Sequence, residues 1–309
     1  MIDAIPLGRS SLEVTRLGFG TAAIGGLYSA LSDEAAAQTL AAASASGIRY
    51  FDTAPHYGAG LAERRLGSFL GGQRDFVVST KVGRLLRPGE VADGHEGFHG
   101  APPLIRVRDY TADGIYRSLA ESLDRTGLDA FDILLIHDPD DYWEQAVGEA
   151  YPALARLRDE GAVKAIGAGM NQSAMLSRFV AETDIDCVLI AGRYTLLDRE
   201  AEEDLLPRCA DRGVGVIVGG VFNSGILADP GSRATFDYEP APPAVRRRVA
   251  ELAETCARHG VPLAAAALQF PLRHKAVSSV LVGARTPAEV AESVAGLAVD
   301  IPEELWAQL

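Results

Sequence analysis

One stretch of the chain decides the fold. Residues 133–168 read ILLIHDPDDYWEQAVGEAYPALARLRDEGAVKAIGA. They contain an apolar run at Ile133–His137, a segment of helical period at Trp143–Asp159 and a second apolar run at Val163–Ala168, with Gly161 at the helix end. This order and these lengths predict a βαβ unit, in which two parallel strands are buried under helices.

The same alternation extends through the whole chain. The other candidate strands are Leu17–Ala22, Ile48–Asp52, Phe76–Lys81, Cys187–Ala191, Val214–Val218 and Ser279–Val282. Further candidate helices are Ser32–Ser46, Thr111–Arg125 and Arg199–Arg212. Eight strands in this alternation favour a closed parallel barrel over an open doubly wound sheet. We therefore expect residues 1–309 to form a single α/β domain, a (β/α)8 TIM barrel.

Three segments fall outside this alternation. Ile2–Leu7 and Leu12–Thr15 predict a β-hairpin that caps one end of the barrel. Arg84–Asp109 and Asn223–Pro243 are too long for ordinary connections, and the second precedes an extra helix, Ala244–His259. Both long βα loops follow a strand, so they should lie on the C-terminal face of the barrel, where active sites are built.

Charge and composition narrow the classes of function. The formal net charge of −13 argues against a nucleic-acid partner, because phosphate neutralisation needs clustered Lys and Arg. No apolar run is long enough for a membrane span, and Met1–Ser11 lacks the apolar region of a signal peptide. Cys187, Cys209 and Cys256 form no C-x-x-C pair, which favours reduced thiols and a cytoplasmic protein. The oligomeric state stays open.

Two motif matches fail on their context. Gly18–Ala23 fits the G-x-G-x-x-A dinucleotide pattern, but two more glycines follow and helical period starts only near Ser32. His95–His99 fits H-E-x-x-H, which binds zinc only on a helix, and the surrounding glycines and prolines oppose a helix there. We expect a glycine-rich turn and a loop with histidines, and no metal site.

An acidic cluster follows the strand Ile133–His137. It consists of Asp138, Asp140 and Asp141. Capping of the helix that follows is a better interpretation than metal binding, because Asp is a preferred N-cap residue.

Four ionisable residues stand where a barrel would bring them together. Asp52, Lys81 and His137 end three successive strands, and Tyr57 follows Asp52 by five positions. Parallel strands of a barrel end at one mouth, so these side chains should meet there.

Hydride transfer to a carbonyl explains this choice of residues. The developing alkoxide needs a proton donor, and the reverse reaction needs a base at the hydroxyl. A phenol has a pKa near 10, and the ammonium of Lys81 should lower the pKa of Tyr57. Asp52 should keep Lys81 charged, and neutral His137 should orient the substrate oxygen.

These segments resemble the aldo-keto reductase superfamily. Phe51–Gly58 (FDTAPHYG), Ser79–Lys81 and Ile136–His137 match the family's catalytic segments. The resemblance extends from Leu7–Ser10 to Val282–Pro287. It implies a barrel enzyme with NAD or NADP as cofactor and Tyr57, Lys81, Asp52 and His137 as catalytic residues.

The resemblance also implies a cofactor site across the barrel mouth. Its expected residues are Gly20, Thr21, Asp52, Asn171, Tyr194, Phe222, Gly283, Arg285, Glu289 and Glu292. Thr286 and Pro287 predict a helix start that offers free N–H groups to a phosphate, with Glu289 completing a capping box. Arg285 is a candidate partner for a 2′-phosphate, whereas Glu289 stands where NADP-preferring relatives often carry Arg, which favours NAD. Ala191 replaces a customary Gln, and Tyr194 is expected to stack on or close over the nicotinamide ring.

Three other segments resemble the branch of this family that oxidises aldoses at C1 to lactones. They are Ala168–Gln172, Ala191–Asp198 and Gly219–Gly225. The expected substrate is a small sugar or aldehyde, and His56, Arg193 and Asn223 are its candidate hydroxyl partners. Pyridoxal is an alternative, because a cyclic hemiacetal also becomes a lactone. A general aldehyde or ketone reductase and, more remotely, a cofactor-binding regulatory subunit are the other hypotheses.

Overall fold

A computed structural model describes residues 2–73, 75–231, 235–237 and 239–309. Eight parallel strands form a closed barrel in chain order. They are β1 Leu17–Gly20, β2 Tyr50–Asp52, β3 Val77–Val82, β4 Ile133–His137, β5 Ala165–Met170, β6 Cys187–Ala191, β7 Gly215–Gly219 and β8 Val277–Val282. The barrel closes where Val280 of β8 pairs with Leu17 of β1. The prediction of a parallel (β/α)8 barrel is confirmed.

Helices surround the barrel, and apolar side chains fill the layer between them and the strands. They are α1 Asp33–Ala45, α2 Leu61–Leu70, α3 Ala112–Thr126, α4 Tyr151–Asp159, α5 Ser173–Glu182, α6 Leu205–Arg212, α7 Pro243–Arg258, α8 Leu263–Gln269, α9 Pro287–Leu297 and α10 Glu303–Trp306. The segment predicted as one helix over Trp143–Asp159 is a helical turn and a π-turn, Ala146–Ala150, that lead into α4. None of the described helices is long and apolar enough to cross a membrane.

The N-terminal hairpin closes the bottom of the barrel, as the sequence predicts. Ala4–Pro6 pairs antiparallel with Glu13–Thr15. Leu7, Leu12 and Val14 pack into the same buried cluster as the barrel-interior side chains, which include Leu135. The bottom is therefore filled, which leaves the C-terminal face for a site.

The long connection after β3 is more regular than its sequence indicates. Arg84–Pro88 pairs antiparallel with Leu104–Arg108, which makes a five-pair ribbon. Leu85 and Leu86 are buried, whereas Ile105 and Val107 are exposed. One strand therefore carries adjacent buried leucines instead of an alternating pattern, which hides it from a search for period two. The other long loop holds a shorter hairpin, Thr235–Phe236 with Glu239–Pro240.

Candidate active site

Four ionisable side chains meet at the C-terminal mouth of the barrel. Asp52 is the last residue of β2, Lys81 lies near the end of β3 and His137 ends β4. Tyr57 lies in the turn between β2 and α2, and the next residue, Gly58, has a φ of +59°. A Cβ atom at Gly58 would lie 2.1 Å from the carbonyl oxygen of Gly25, so the turn rests directly on the loop after β1.

Lys81 connects Asp52 and Tyr57 through hydrogen bonds. Its side chain is 2% exposed. The ammonium Nζ donates to Asp52 Oδ2 over 2.5 Å, to the Thr53 carbonyl oxygen over 3.1 Å and to the Tyr57 phenol oxygen over 2.9 Å. These contacts match the three donors of an ammonium group. Asp52 in turn accepts a bond of 2.7 Å from Ser79 Oγ.

Burial and charge set the protonation of the phenol and the ammonium. Burial raises the pKa of Tyr57 above its ordinary value, and Lys81 opposes this increase without cancelling it. Burial alone would lower the pKa of Lys81, but Asp52 and Tyr57 together raise it above its ordinary value. Lys81 therefore lowers the pKa of Tyr57, as expected, but desolvation is the larger effect, and the net pKa lies above that of a free phenol.

His137 lies beside the phenol. The two ring centroids are 6.1 Å apart at 84°. Burial lowers the pKa of His137 well below its usual range, and the positive charges of Arg84 and Lys81 lower it further. The imidazole is therefore neutral at pH 7. Its Nδ1 atom is buried and has no hydrogen-bond partner within the described residues.

A cavity of about 710 Å³ opens beside these side chains. Tyr57, Lys81 and His137 form part of its wall, and the two long βα loops contribute to the rest. Several of its residues were not found from the sequence: Arg84, Glu96, Phe98, Arg108, Asp138 and Met170. Most of these stand on the hairpin after β3, whose side-chain directions follow from a pairing that the sequence pattern did not reveal.

The three expected substrate residues line two adjoining cavities. His56 lines the larger cavity. Arg193 and Asn223 line a smaller one of about 250 Å³. Asn171 and Ala191 belong to both cavities, so the two are neighbours. Arg193 is already engaged, because its Nη1 lies 3.0 Å from Asp237 Oδ1 and 3.3 Å from Asp198 Oδ2.

Two of the aromatic residues expected at the cofactor do not line either cavity. Tyr194 is 3% exposed and packs its ring against Phe270 and His274. It therefore belongs to the core under α8, and the prediction that it stacks on or covers the nicotinamide is wrong. Phe222 is half-buried and packs on the barrel core. Neither position could be assigned from the sequence, because a loop aromatic after a strand can turn inward or outward.

The ends of β1 and β8 lie side by side in the barrel. Gly20 ends β1, and the adjacent Thr21 is fully buried with its amide donating to the Asp52 carbonyl oxygen over 2.9 Å. Gly283 and Glu292 are exposed after β8. Gly20, Thr21 and Gly283 therefore lie across the barrel from Asn171, which follows β5, whereas Glu292 lies farther along α9.

The Arg285 side chain forms hydrogen bonds with the protein's own backbone. Its guanidinium donates to the carbonyl oxygens of Ala23, Leu27 and Ala30 over 3.3, 3.0 and 2.9 Å. It therefore holds the loop after β1, and three of its five N–H donors are used in these contacts. Exposed Glu289 accepts from the Arg285 amide over 2.9 Å.

The start of α9 matches most of the predicted cap. Thr286 Oγ1 accepts from the Glu289 amide over 3.2 Å, as an N-cap should. The Glu289 carboxylate bonds the amide of Arg285 and not that of Thr286, so the capping box is displaced by one residue.

Local geometry shows what the H-E-x-x-H match and the acidic cluster after β4 do in the structure. His95–Gly97 forms a short 3-10 turn in which Glu96 has a φ of +53°, so the H-E-x-x-H spacing lies on no helix. No group of three or more His, Cys, Asp or Glu residues suited to a metal ion exists in the described ranges. The prediction that the acidic cluster caps a helix is wrong: Asp138 pairs with Arg84 over 2.6 Å, and Asp140 accepts from Gln172.

The mouth has features that fit a flat cofactor ring. The ends of β5, β6 and β7 present Gly169, Ala191 and Gly220 to the two cavities, and these small side chains leave the floor open. Asn223 Oδ1 is a buried acceptor that has no partner in the part of the chain described. An unpaired buried acceptor carries an energetic cost that a ligand N–H group would remove.

Comparison with known proteins identifies the class. Residues 16–309 match the family model described as the aldo/keto reductase family. The chain belongs to this family and is an oxidoreductase of the kind that uses NAD(P). The resemblance found in the sequence is confirmed.

Particular relatives are similar over almost the whole chain. The chain is 46% identical to the D-threo-aldose 1-dehydrogenase of a Pseudomonas species, across 97% of this chain and 94% of the relative. It is 42% identical to the pyridoxal 4-dehydrogenase of Microbacterium luteolum, across 98% and 95%. Its fold matches an aldo-keto reductase structure from Bacillus halodurans with a TM-score of 0.78 and 26% identity, across 99% and 94% of the two chains.

Proposed function

We propose that this protein oxidises an aldose at C1 to the lactone, with Tyr57 as the acid/base residue. The contact between Tyr57 and Lys81 at the wall of the main cavity carries this proposal. The 46% identity to a D-threo-aldose 1-dehydrogenase supports the choice of substrate class. The polar wall of the cavity, with His56, Arg84 and Asp138, also suits a hydroxylated substrate.

Each of the four residues has a distinct task in this proposal. In the oxidation the phenolate oxygen of Tyr57 takes the proton from the anomeric hydroxyl and becomes the phenol, and in the reverse direction the phenol returns this proton. Lys81 stabilises the phenolate that the oxidation needs, and Asp52 keeps Lys81 charged and in place. Neutral His137 forms a hydrogen bond with the substrate oxygen and aligns it with Tyr57. Hydroxyl groups elsewhere on the sugar meet His56, Arg193 and Asn223.

A nicotinamide cofactor accepts the hydride from C1 when it is bound. The residues that would hold it are Gly20, Thr21, Asn171, Phe222, Gly283, Glu289 and Glu292. Asn171 reaches both cavities, and the small side chains at the ends of β5 to β7 leave room beside it. The start of α9 suits a phosphate, because the positive end of the helix dipole lies there.

NAD is the preferred cofactor in this proposal. The guanidinium of Arg285 already contacts three backbone carbonyl oxygens. Glu289 is exposed at the first turn of α9, where its carboxylate would repel a 2′-phosphate. Since the one expected cation is engaged and an anion stands nearby, a 2′-phosphate would find little stabilisation.

A panel of aldoses tests the function. Aldoses of the D-threo configuration, other aldoses and pyridoxal are each incubated with NAD+ and with NADP+, and the reduced nicotinamide is followed by absorbance. We expect turnover with one or more aldoses and NAD+, with the lactone as product by mass spectrometry. Turnover with pyridoxal alone would favour the second candidate, which the 42% identity to a pyridoxal 4-dehydrogenase supports. Reduction of many aldehydes without aldose oxidation would favour a general reductase.

The thiols and the family match bear on the cellular compartment and the domain organisation of the enzyme. Cys187, Cys209 and Cys256 are free and buried. We infer that the enzyme is cytoplasmic, because such thiols stay reduced in the cytoplasm. We also infer that it works as one barrel domain.

A further inference from the structure

Arg84 bridges His56, in the turn after β2, and Asp138, which directly follows His137 at the end of β4. It follows Gly83, whose φ of +95° turns the chain from β3 into the hairpin. Its guanidinium Nη1 lies 3.2 Å from His56 Nδ1, and its Nη2 donates to Asp138 Oδ2 over 2.6 Å. The Arg84 side chain is 9% exposed, and this buried cation lines the cavity.

The far end of the bridge is held in an unusual backbone conformation. Asp138 has a φ of +42°, a left-handed conformation that costs energy in a residue with a side chain. The hydroxyl of Tyr110 donates to the carbonyl oxygens of His137 and Asp138 over 2.6 and 2.8 Å. Asp138, the partner of Arg84, is therefore held in place by the core residue Tyr110 and does not move with Arg84.

The contact with Arg84 decides which nitrogen of His56 carries the proton. A guanidinium group only donates hydrogen bonds, so a nitrogen that it contacts must accept. His56 Nδ1 is then unprotonated, and the proton of the neutral ring lies on Nε2.

A competitor for the same nitrogen lies close by. The carboxylate Oε2 of Glu96 is 3.6 Å from His56 Nδ1 and 2.9 Å from Arg106 Nε. A carboxylate only accepts, so it would favour a proton on Nδ1. Arg84 and Glu96 therefore favour opposite tautomers of one ring, and the shorter contact belongs to Arg84.

We propose that Arg84 is a positioning residue that fixes His56 as the Nε2–H tautomer, so that His56 offers a hydrogen-bond donor to an acceptor oxygen of the aldose. The choice of an aldose oxygen rests on the proposed function; the tautomer does not. Arg84 acts through His56 and sets specificity by deciding whether the ring can donate into the cavity. Without Arg84, the proton moves to Nδ1 and bonds Glu96, and Nε2 becomes an acceptor.

Nitrogen-15 NMR of the histidine rings tests the tautomer directly. The His56 signals are assigned by their loss in His56→Gln. In the wild-type protein we expect a protonated Nε2 and an unprotonated Nδ1, and in Arg84→Ala the reverse. Arg87→Ala is the matched control, because Arg87 lies on the same hairpin strand and pairs with Glu121. An Nδ1–H tautomer in the wild type, or an unchanged tautomer in folded Arg84→Ala, would overturn the proposal.

Kinetics test the effect on specificity. We expect Arg84→Ala to raise KM for the aldose about 10-fold, the equivalent of one neutral hydrogen bond, with a smaller change in kcat. Mono-deoxy aldoses should show one position at which this penalty disappears. The effects of Arg84→Ala and His56→Leu should not add, because both remove the same donor. Arg84→Lys should recover part of the effect, because one ammonium donor can still reach His56 Nδ1. Additive effects, or equal penalties for every deoxy sugar, would contradict the specificity role.

The two proposals fail in different ways. If no aldose is oxidised by the wild-type protein, the proposed function is wrong, and the NMR experiment still decides the tautomer. If aldoses are oxidised while Arg84→Ala is folded, keeps the wild-type tautomer and shows unchanged KM, the role of Arg84 is wrong and the function stands.

Discussion

The ammonium of Lys81 lies 2.9 Å from the phenol oxygen of Tyr57 and donates its hydrogen bond to it. The other two contacts of this ammonium go to Asp52 and to the Thr53 carbonyl oxygen. Because the phenol oxygen of Tyr57 accepts a hydrogen bond from Lys81, the hydroxyl proton of Tyr57 is directed to a different partner. The cavity supplies the space for that partner.

This contact predicts the pH dependence of the reaction. Burial holds the pKa of Tyr57 above its ordinary value. In aldose oxidation the phenolate is the active base, so kcat should rise with pH from neutral into the alkaline range. In the carbonyl reduction the phenol is the active acid, so kcat should be level at neutral pH and fall at high pH. Initial rates in both directions between pH 6 and 10.5 check this; a rate of oxidation that falls across the range would contradict it.

Lys81→Met should shift the oxidation profile to higher pH. The ammonium is the group that lowers the pKa of Tyr57, so its removal lets burial and Asp52 raise that pKa further. The rate at pH 7 should fall by about 100-fold or more, as for loss of an electrostatic partner in a buried site. Lys164→Met is the control, because Lys164, which directly precedes β5, is exposed and pairs with Asp132. An unshifted profile in folded Lys81→Met would show that Lys81 does not tune the phenol.

Acid should destabilise the protein through two histidines. The pKa of His56 and that of His137 lie well below the usual range in the folded protein, because both rings are desolvated and lie next to positive charges. Below about pH 6.5 the unfolded chain binds protons at these rings and the folded protein does not. The free energy of unfolding should therefore fall as the pH drops, by at most about 1.4 kcal/mol per pH unit for each ring.

Urea titrations between pH 7 and 5 measure this slope. His56→Gln should reduce the slope, because it removes one of the two rings whose pKa is lowered in the folded protein. Equal slopes for wild type and His56→Gln would contradict this prediction.

Gly58→Ala should disturb the turn that carries Tyr57. A Cβ atom there meets the Gly25 carbonyl oxygen at 2.1 Å, in addition to the strain of a positive φ. Gly127→Ala is the control, because Gly127 has a φ of +67° and open space around its Cβ position. The control should cost about 1–2 kcal/mol from backbone strain alone, and Gly58→Ala about 1–3 kcal/mol more, with a loss of activity. Similar losses of stability in urea titrations would show that the contact with Gly25 is unimportant.

Glu289→Arg should improve the use of NADP. The substitution replaces an anion at the first turn of α9 with a cation. The ratio of kcat/KM for NADP+ to that for NAD+ should rise about 10-fold or more, as expected for charge-assisted phosphate contacts. Glu304→Arg makes the same charge change on α10 and should leave the ratio unchanged. A ratio that does not move in Glu289→Arg would place the adenosine end of the cofactor elsewhere.

Strand positions were the most predictable part of the molecule. The bounds of β4 and β6 follow from uninterrupted apolar runs, and Asp52, Lys81 and His137 were expected together because parallel strands end at one mouth. The bridge of Arg84 to His56 and Asp138 was not predictable, because it joins three loops whose side-chain directions depend on tertiary packing. For the same reason Tyr194 was expected in the site and lies in the core, and the net direction of the Tyr57 pKa depends on burial, which a sequence does not give.

The central claim is that Tyr57 transfers the proton, and Tyr57→Phe tests it most directly. The substitution removes one oxygen atom and keeps the ring that packs 6.2 Å from Phe98. We predict that kcat for aldose oxidation falls by about 100- to 10,000-fold, the usual contribution of a general acid or base. The Kd for the oxidised cofactor, measured by calorimetry, should stay within about 10-fold of the wild-type value, since the phenol oxygen contributes at most one neutral hydrogen bond to binding. A Tyr57→Phe enzyme that oxidises the aldose at a rate close to wild type would contradict the account.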